Sequence, residues 1–546
     1  MTVAELPHSL DLEGTLTLPA LLRRRAAEKP HAVFLRQVDG DDLDYAGLER
    51  RVRGWMRALA AAGVRPGDRV ATLLPPSFDA VAVWMAAARL AAVETPLNTA
   101  LRGSLLSYVL GDAEPRCVVA APGFAGPLRE LASRGKQVPP VLLATGASVQ
   151  APPSGEGFDL RAPDFNADEP AIDHDPRPYE AATIVYTSGT SGRSKGVVVP
   201  WAQQYATARW LMPLDGRVGD VWYGPWAMFH VSGKVGLYSS ALLDGQLVLR
   251  DGFSTSSFWD DVRRFGVTST MIVASTVAYL TSRPADPSDR DHTLRNVCAA
   301  PLPEDTDSFE QRFGVRLSTL YNMTEVASPI VTGWSDAPTG SCGRAREGVE
   351  ARVVDENGDD VADGEAGELV LRMTVPHEIM TGYWRAPEAT VEAWRDLWFH
   401  TGDAVRRDAD GWFYFLDRLK DTIRRGGENI SSVELEALVN EHPLVRESAA
   451  VGVPNAHGDR DVKLFVVGEP GLDVAELATD LDDRLPRYMR PTCIALLPSL
   501  PKTHTARIRK AQLRDLDDSP DWVRPGRTPR TMPHDPQRPP AEEMTT

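Results

Sequence analysis

Residues 187–196 read T-S-G-T-S-G-R-S-K-G, a run of hydroxyls and glycines closed by a lysine. The hydroxyls of Thr187, Ser188, Thr190 and Ser191 can all donate to an anion. Gly189, Gly192 and Gly196 permit φ > 0 and close backbone approach, so successive N–H groups can turn toward one ligand. Lys195 adds a compact positive charge suited to phosphate. With no carboxylate and no large side chain, the stretch reads as a polyphosphate cradle, the plainer alternative being a Gly/Ser surface turn. The P-loop pattern G-x-x-x-x-G-K-[ST] does not fit, because Gly189 and Gly192 are too close together and Lys195 is followed by Gly196. Further along, Tyr321-Asn322-Met323-Thr324-Glu325 ends in a hydroxyl and a carboxylate. Mg²⁺ on ATP takes one or two carboxylates beside phosphate oxygens and water, so one placed glutamate suffices. By itself that pentapeptide could equally present a surface glutamate.

The elements around these residues follow from periodicity. Apolar runs at Ile184–Tyr186 and Val197–Val199 predict buried strands on both sides of the cradle. Leu16–Lys29, Tyr45–Ala62 and Phe78–Leu90 read as helices, and Val70–Leu74 and Val93–Asn98 as strands. Strands alternating with helices predict an α/β architecture of mixed sheets and helices. Beyond Arg418 the pattern shortens to a compact α+β segment, with helices at Ser432–Asn440 and Val474–Leu485 and strands at Glu447–Val453 and Val462–Val467. From Ser519 proline and charge dominate, which predicts a disordered tail. The expected domains are therefore 1–417, 418–518 and a tail at 519–546.

The 546 residues suffice for two domains and a large core, and 42% apolar with 25% charged residues is ordinary globular composition. A net charge of −17 argues against a nucleic-acid surface, so an anionic substrate must be met by local cations. Lysine is rare, which singles out each one. Cys117, Cys298, Cys342 and Cys493 have no metal-site or disulfide spacing. The first residues carry acids and lack an apolar core, and no stretch is long and apolar enough for a membrane span, so a cytoplasmic location is expected.

Taken in order, these motifs resemble the adenylate-forming superfamily, whose AMP-binding signature residues 183–200 closely match. Resemblance extends over roughly Leu16–Leu513. It implies a large N-terminal domain and a small mobile C-terminal domain. It also implies that Thr324 meets the α-phosphate, Glu325 the magnesium, and Tyr321 the adenine. Ala299-Ala300-Pro301 is similar to the family segment that receives adenine through its backbone. Thr401-Gly402-Asp403 and Arg418 are similar to its ribose-binding residues, and Lys420 falls at its hinge. Trp226–Val235 is similar to the stretch that lines the acceptor pocket, with His230 as its gate and Met323 and Asn322 at its border. Asn322 stands where relatives have glycine, which puts the pocket's shape in question. Lys234 is unexpected there, and either meets a second anionic group of a small substrate or snorkels to solvent. Arg425-Gly426-Gly427-Glu428-Asn429 resembles the segment lining the pantetheine tunnel. Arg507 stands where relatives carry the adenylation lysine; it keeps the charge but is bulkier, and Lys510 is the alternative cation, although its spacing is wrong.

The implied activity is an ATP- and Mg²⁺-dependent ligase that converts a small aromatic or polar acid to acyl-AMP and then to its CoA thioester. The pattern is similar to the carnitine/crotonobetaine branch. Two alternatives stay open: a ligase of secondary metabolism that adenylates nitrite to diazotise an aryl amine, motivated by Asn322, Lys234 and Arg507, and a non-catalytic ATP-binding module, motivated by Arg507 alone. No covalent protein nucleophile is required, and the oligomeric state is not readable.

Overall fold

The computed structural model describes residues 3–11, 13–144, 158–187, 194–212, 215–300, 302, 306–332, 337–418, 422–426, 428–455, 459–501, 508–514, 516 and 519–526. The chain divides into two compact units, with the larger ending at Lys420 and the smaller running from Asp421. Both are mixed α/β.

In the larger unit, helix α1 (Phe78–Arg89) is buried all round, which an Ala-rich sequence carrying Phe78, Trp84 and Met85 requires of a core helix. Ser77 caps its start by accepting from the Ala80 N–H. Strand β1 (Val93–Pro96) follows and pairs in parallel with β2 (Ala181–Thr187). Next comes β3 (Lys195–Pro200), antiparallel to β2, with Thr187 directly opposite Lys195. These strands lie in an eight-stranded sheet. Gly196 is needed here for room, since a Cβ would sit 2.8 Å from Ile184 Cγ2 and 3.2 Å from Trp384 Cβ.

Helices α2 (Trp201–Leu211) and α3 (Val231–Leu242) pack together, both largely buried. A second, seven-stranded sheet contains β4 (Asn296–Ala300). Strands β5 (Leu320–Met323) and β6 (Val326–Val331) form a bulged hairpin. The two-residue strand β7 (Gly382–Tyr383) joins β3 at the edge of the first sheet. Finally β8 (Trp398–Arg407) pairs with β9 (Phe413–Arg418).

The smaller unit has a hairpin (Thr422–Arg425 and Glu428–Ser431) and a four-stranded sheet of Val445–Pro454, Arg460–Gly468, Cys493–Leu496 and Trp522–Val523. Helices Ser432–Val439 and Val474–Arg484 fall where periodicity expects them. The expected tail needs a correction at its start. Trp522–Val523 pairs with Cys493–Ile494, and Arg524 makes a two-pronged ion pair with Asp482, so backbone and charge hold residues that composition alone assigns to disorder. Residues 527–546 lie outside the described residues. Among the described residues no helix is long and apolar enough to cross a membrane.

Candidate active site

The pairing of β2 with β3 brings Thr187 and Lys195 face to face on either side of residues 188–193. Tyr108 donates its hydroxyl to the Ser194 carbonyl at 3.0 Å, tying down the outgoing end. Ser188, Gly189, Thr190, Ser191 and Gly192 lie outside the described residues, as do Pro301, Lys420 and Arg507.

The turn after β5 presents Thr324 and Glu325. Gln203 on α2, fully buried, donates to the Thr324 carbonyl at 2.8 Å. The Met380 N–H donates to the Glu325 carbonyl at 2.8 Å. The Glu325 carboxylate is itself buried, and the Tyr383 hydroxyl donates to its Oε1 at 3.0 Å. The ring of the same tyrosine carries the Lys195 ammonium, 5.1 Å from the centroid. Tyr383 thus touches both the cradle lysine and the carboxylate. Sequence reading missed it and Gln203. Tyr383 lies far from both motifs in the chain, and nothing in the pattern of α2 marks Gln203.

Asn322, the residue that replaces glycine, has a structural task. The hairpin register slips between Tyr321 and Met323, and Ser328 in the resulting bulge adopts φ 30°. The Ser328 N–H donates to Asn322 Oδ1 at 2.8 Å, replacing the lost ladder bond. Beneath the bulge Arg346 donates to the carbonyls of Ala327 and Ser328 and pairs with buried Glu378 at 2.7 Å. Met323 is partly buried against the core.

Tyr321, buried, donates its hydroxyl to Asp403 Oδ2 at 2.6 Å, so the β5 and β8 motifs meet in one hydrogen bond. Asp403 is the backbone partner of Arg418 across β8 and β9. Ala299 and Ala300 end β4, the first buried and the second half-buried. His230 is the residue preceding α3 and packs against Phe229 with ring centroids 4.6 Å apart. Trp226 donates to the Met271 carbonyl at 2.7 Å and lines a small cavity with Ser232, Gly233 and Gly236.

Lys234 is the main correction. It neither lines that cavity nor reaches solvent: it is fully buried, and its ammonium donates to Glu94 Oε2 at 2.6 Å while lying 3.6 Å from the centroid of Trp84. Its anion is internal, which removes the argument for a second negative group on the substrate. Burial pushes the Glu94 carboxyl up and the Lys234 ammonium down, and each opposes the other's shift. Lys510 is also engaged, with Glu436 at 2.7 Å and Ser432 at 2.6 Å inside the smaller unit. In the same unit Arg425 donates to the Arg490 carbonyl at 2.7 Å.

All four cysteines are buried and unlinked. Burial pushes the Cys117 and Cys298 thiols up to about 12 and Cys342 up to about 11, so none of these three is a thiolate nucleophile at neutral pH. Among the described residues no group of three His, Cys, Asp or Glu side chains could hold a metal ion by itself. A buried carboxylate beside a threonine hydroxyl is nevertheless the oxygen chemistry that Mg²⁺ accepts when phosphates complete its shell.

Residues 22–384 match the family model described as AMP-binding enzyme, and residues 434–507 that of the AMP-binding enzyme C-terminal domain. A crotonobetaine/carnitine–CoA ligase of Salmonella paratyphi B is 30% identical over 489 residues, covering 86% of this chain and 92% of that protein. The structure of the amide bond synthetase McbA from Marinactinospora thermotolerans matches with 25% identity and a TM-score of 0.78, over 90% of this chain and 99% of that one. ATP-bound MatB from Rhodopseudomonas palustris matches with 28% identity and a TM-score of 0.63, over 92% of this chain and 98% of that one.

Proposed function

This chain belongs to the AMP-binding enzyme family, and from that membership we propose that it is an ATP-dependent ligase that activates a small carboxylic acid as acyl-AMP and transfers the acyl group to CoA. The observation that carries the reading is Tyr383, which holds Glu325 through its hydroxyl and Lys195 through its ring. A carboxylate and a cation fixed beside the base of a hydroxyl- and glycine-rich loop suit the polyphosphate of ATP.

In the first step a carboxylate oxygen of the acid forms a bond to the α-phosphorus, and the bond from that phosphorus to the bridging oxygen of pyrophosphate breaks. Thr187, Lys195 and the loop orient the phosphates, and Thr324 sits at the α-phosphate. Glu325 would hold Mg²⁺, which supplies charge neutralisation on the phosphate oxygens. Tyr321 packs near adenine with Ala299-Ala300-Pro301, while Asp403 and Arg418 take the ribose. Trp226, His230 and Met323 border the acid, and Arg507 supplies the positive charge at its carboxylate. In the second step the CoA sulfur bonds to the acyl carbon, the bond to AMP breaks, and the thiol proton leaves to solvent. The 418–518 segment acts as the mobile part with Lys420 as hinge. Lys420→Pro is therefore expected to preserve ATP–pyrophosphate exchange while suppressing thioester formation, because proline fixes the backbone that must rotate. Equal loss of both reactions would argue against the hinge.

An amine in place of CoA is a second reading, supported by the likeness to an amide bond synthetase. Its nitrite-activating form is weaker, since Lys234 and Asn322 both have structural partners and only Arg507 still motivates it. The deciding experiment measures pyrophosphate and AMP release across carboxylic acids with and without CoA, and from nitrite with aryl amines. Acid-dependent pyrophosphate with CoA-dependent AMP is expected. Release with amines but never with CoA would move the assignment to amide or diazo chemistry, and no release with any of them would sink the ligase reading.

A further inference from the structure

A buried ion pair is a poor stabiliser. Removing two charges from water costs several kcal/mol each, and apolar replacement of such pairs is often neutral or stabilising. Glu94 and Lys234 therefore ask for a reason other than stability, and their connections suggest one.

Glu94 lies on β1 and accepts from three elements. Thr72 donates to Oε1 at 3.2 Å from the neighbouring strand, Thr183 to Oε2 at 3.3 Å from β2, and Lys234 to Oε2 at 2.6 Å from α3. Trp84 on α1 completes the node. Its ring carries the ammonium, and its indole N–H donates to the Ala182 carbonyl on β2 at 2.8 Å. Both ends of the pair lead to the site. Thr183 is four residues before Thr187, where β2 enters the cradle, and a strand spans that interval rigidly. Lys234 is four residues after His230, one helical turn or roughly 6 Å along α3.

We propose that Glu94 and Lys234 are a positioning pair for the ligase reaction, locking α3, and with it His230 and the acid, in register with the strand that carries the phosphate cradle. A directional ionic contact suits this task better than greasy packing, because an apolar helix face can slide against a sheet whereas a 2.6 Å charge-assisted bond between two buried groups has one geometry. The proposal rests on the ligase reading given above. A register error between acid and α-phosphate is felt in the reacting geometry more than in binding, and a shift near 1 Å can cost about a hundredfold in rate.

The test compares the double variant E94Q/K234M, which removes both charges together, with K234R, which retains the pair. E94Q/K234M is expected to melt within a few degrees of wild type. Its kcat for acid-dependent pyrophosphate release should fall roughly 30- to 100-fold, with KM for ATP and for the acid within about threefold. K234R keeps the charge but, in a fully buried and stacked position, not the fit, so its kcat should lie between wild type and the double variant. A folded double variant with wild-type kcat would reduce the pair to packing, and so would a double variant that fails to fold, because the pair would then be structural. Hydrogen exchange gives a readout independent of activity. Amides of residues 183–187 and 231–235 should exchange faster together in the double variant, with the smaller unit unchanged. If wild-type protein releases no pyrophosphate with any acid, the ligase reading fails, while coupled exchange would still show the linkage. Unchanged exchange at both segments would overturn the linkage itself.

Discussion

In the larger unit Lys195 and Lys234 each sit on an aromatic ring near a carboxylate, and they differ in how closed their surroundings are. Lys195 lies over Tyr383, whose hydroxyl holds Glu325, and the lysine is only half-buried at the mouth of a hairpin. Lys234 lies over Trp84 and bonds Glu94 directly, with 0% of its surface exposed. The parts are the same; what differs is closure. In the first cluster an uncharged tyrosine touches cation and anion alike, at the start of the strand that follows the hydroxyl- and glycine-rich stretch. In the second, cation and anion meet within a shell of threonines and tryptophan. Similar composition therefore yields a half-buried cluster bridged by a tyrosine and a fully buried one in which cation and anion bond directly.

Breaking the closed cluster should have the largest effect. Lys234→Met leaves Glu94 buried with hydroxyl donors only, and removing one member of such a pair costs about 3–5 kcal/mol. The loss should depend on pH in a defined direction. Burial already holds the Glu94 carboxyl above its ordinary 4.5, and deleting the nearby ammonium removes its largest lowering influence. A carboxyl whose folded value is raised binds its proton more tightly in the folded chain, so its contribution is full below the unfolded value and is lost as pH rises. The deficit in Tm relative to wild type should be small near pH 5 and grow toward pH 8. A deficit that shrinks with rising pH would mean that Glu94 is not the group left without a charge partner.

The open cluster should respond in activity and hardly in stability. Lys195→Ala and Glu325→Ala each remove a charge-assisted contact to ATP or its metal, worth roughly 1.5–3 kcal/mol, or about ten- to a hundredfold in AMP formation. Melting temperatures should stay near wild type, because the half-buried Lys195 loses little on truncation. Wild-type turnover by both variants would remove them from the site, and a large drop in Tm for Lys195→Ala would erase the contrast with Lys234.

What sequence could show of the two clusters follows from distance along the chain. The readings of residues 187–196 and of Tyr321–Glu325 rest on local runs whose residue types and spacing carry their own chemistry. The pair Glu94–Lys234 spans 140 residues, and nothing in either neighbourhood announces the other; a lysine in an apolar helix therefore read as either a ligand contact or a side chain snorkelling to solvent, and it is neither. Asn322 misled for a related reason. Its carbonyl oxygen supports a bulge that exists only once β5 and β6 pair. The elements themselves were legible to within a residue or two, as with α1, because burial imposes a period that needs no partner to be named. The start of the tail was not, since Trp522–Val523 becomes a strand only against Cys493–Ile494.

The smallest expected effect tests the residue that makes the open cluster open. Tyr383→Phe keeps the ring under Lys195 and deletes only the hydroxyl that donates to Glu325 at 3.0 Å. Glu325 keeps its backbone anchor from Met380 N–H, so the carboxylate should remain in place but turn more freely. A single hydrogen bond of this kind is worth about 1 kcal/mol, roughly fivefold. The loss should fall on KM for Mg·ATP, with Tm unchanged, because what loosens is a group that meets the ligand. Tyr383→Ala removes the ring as well and should lose a further two- to fivefold, about 0.5–1 kcal/mol for an exposed cation–π contact. If the phenylalanine variant is indistinguishable from wild type while the alanine variant is impaired, the ring alone matters and Glu325 is placed by its backbone. If phenylalanine and alanine are equally impaired, the hydroxyl carries the whole role and Lys195 gains nothing from the ring. Only the graded result fits one side chain holding the cradle lysine and the carboxylate at once.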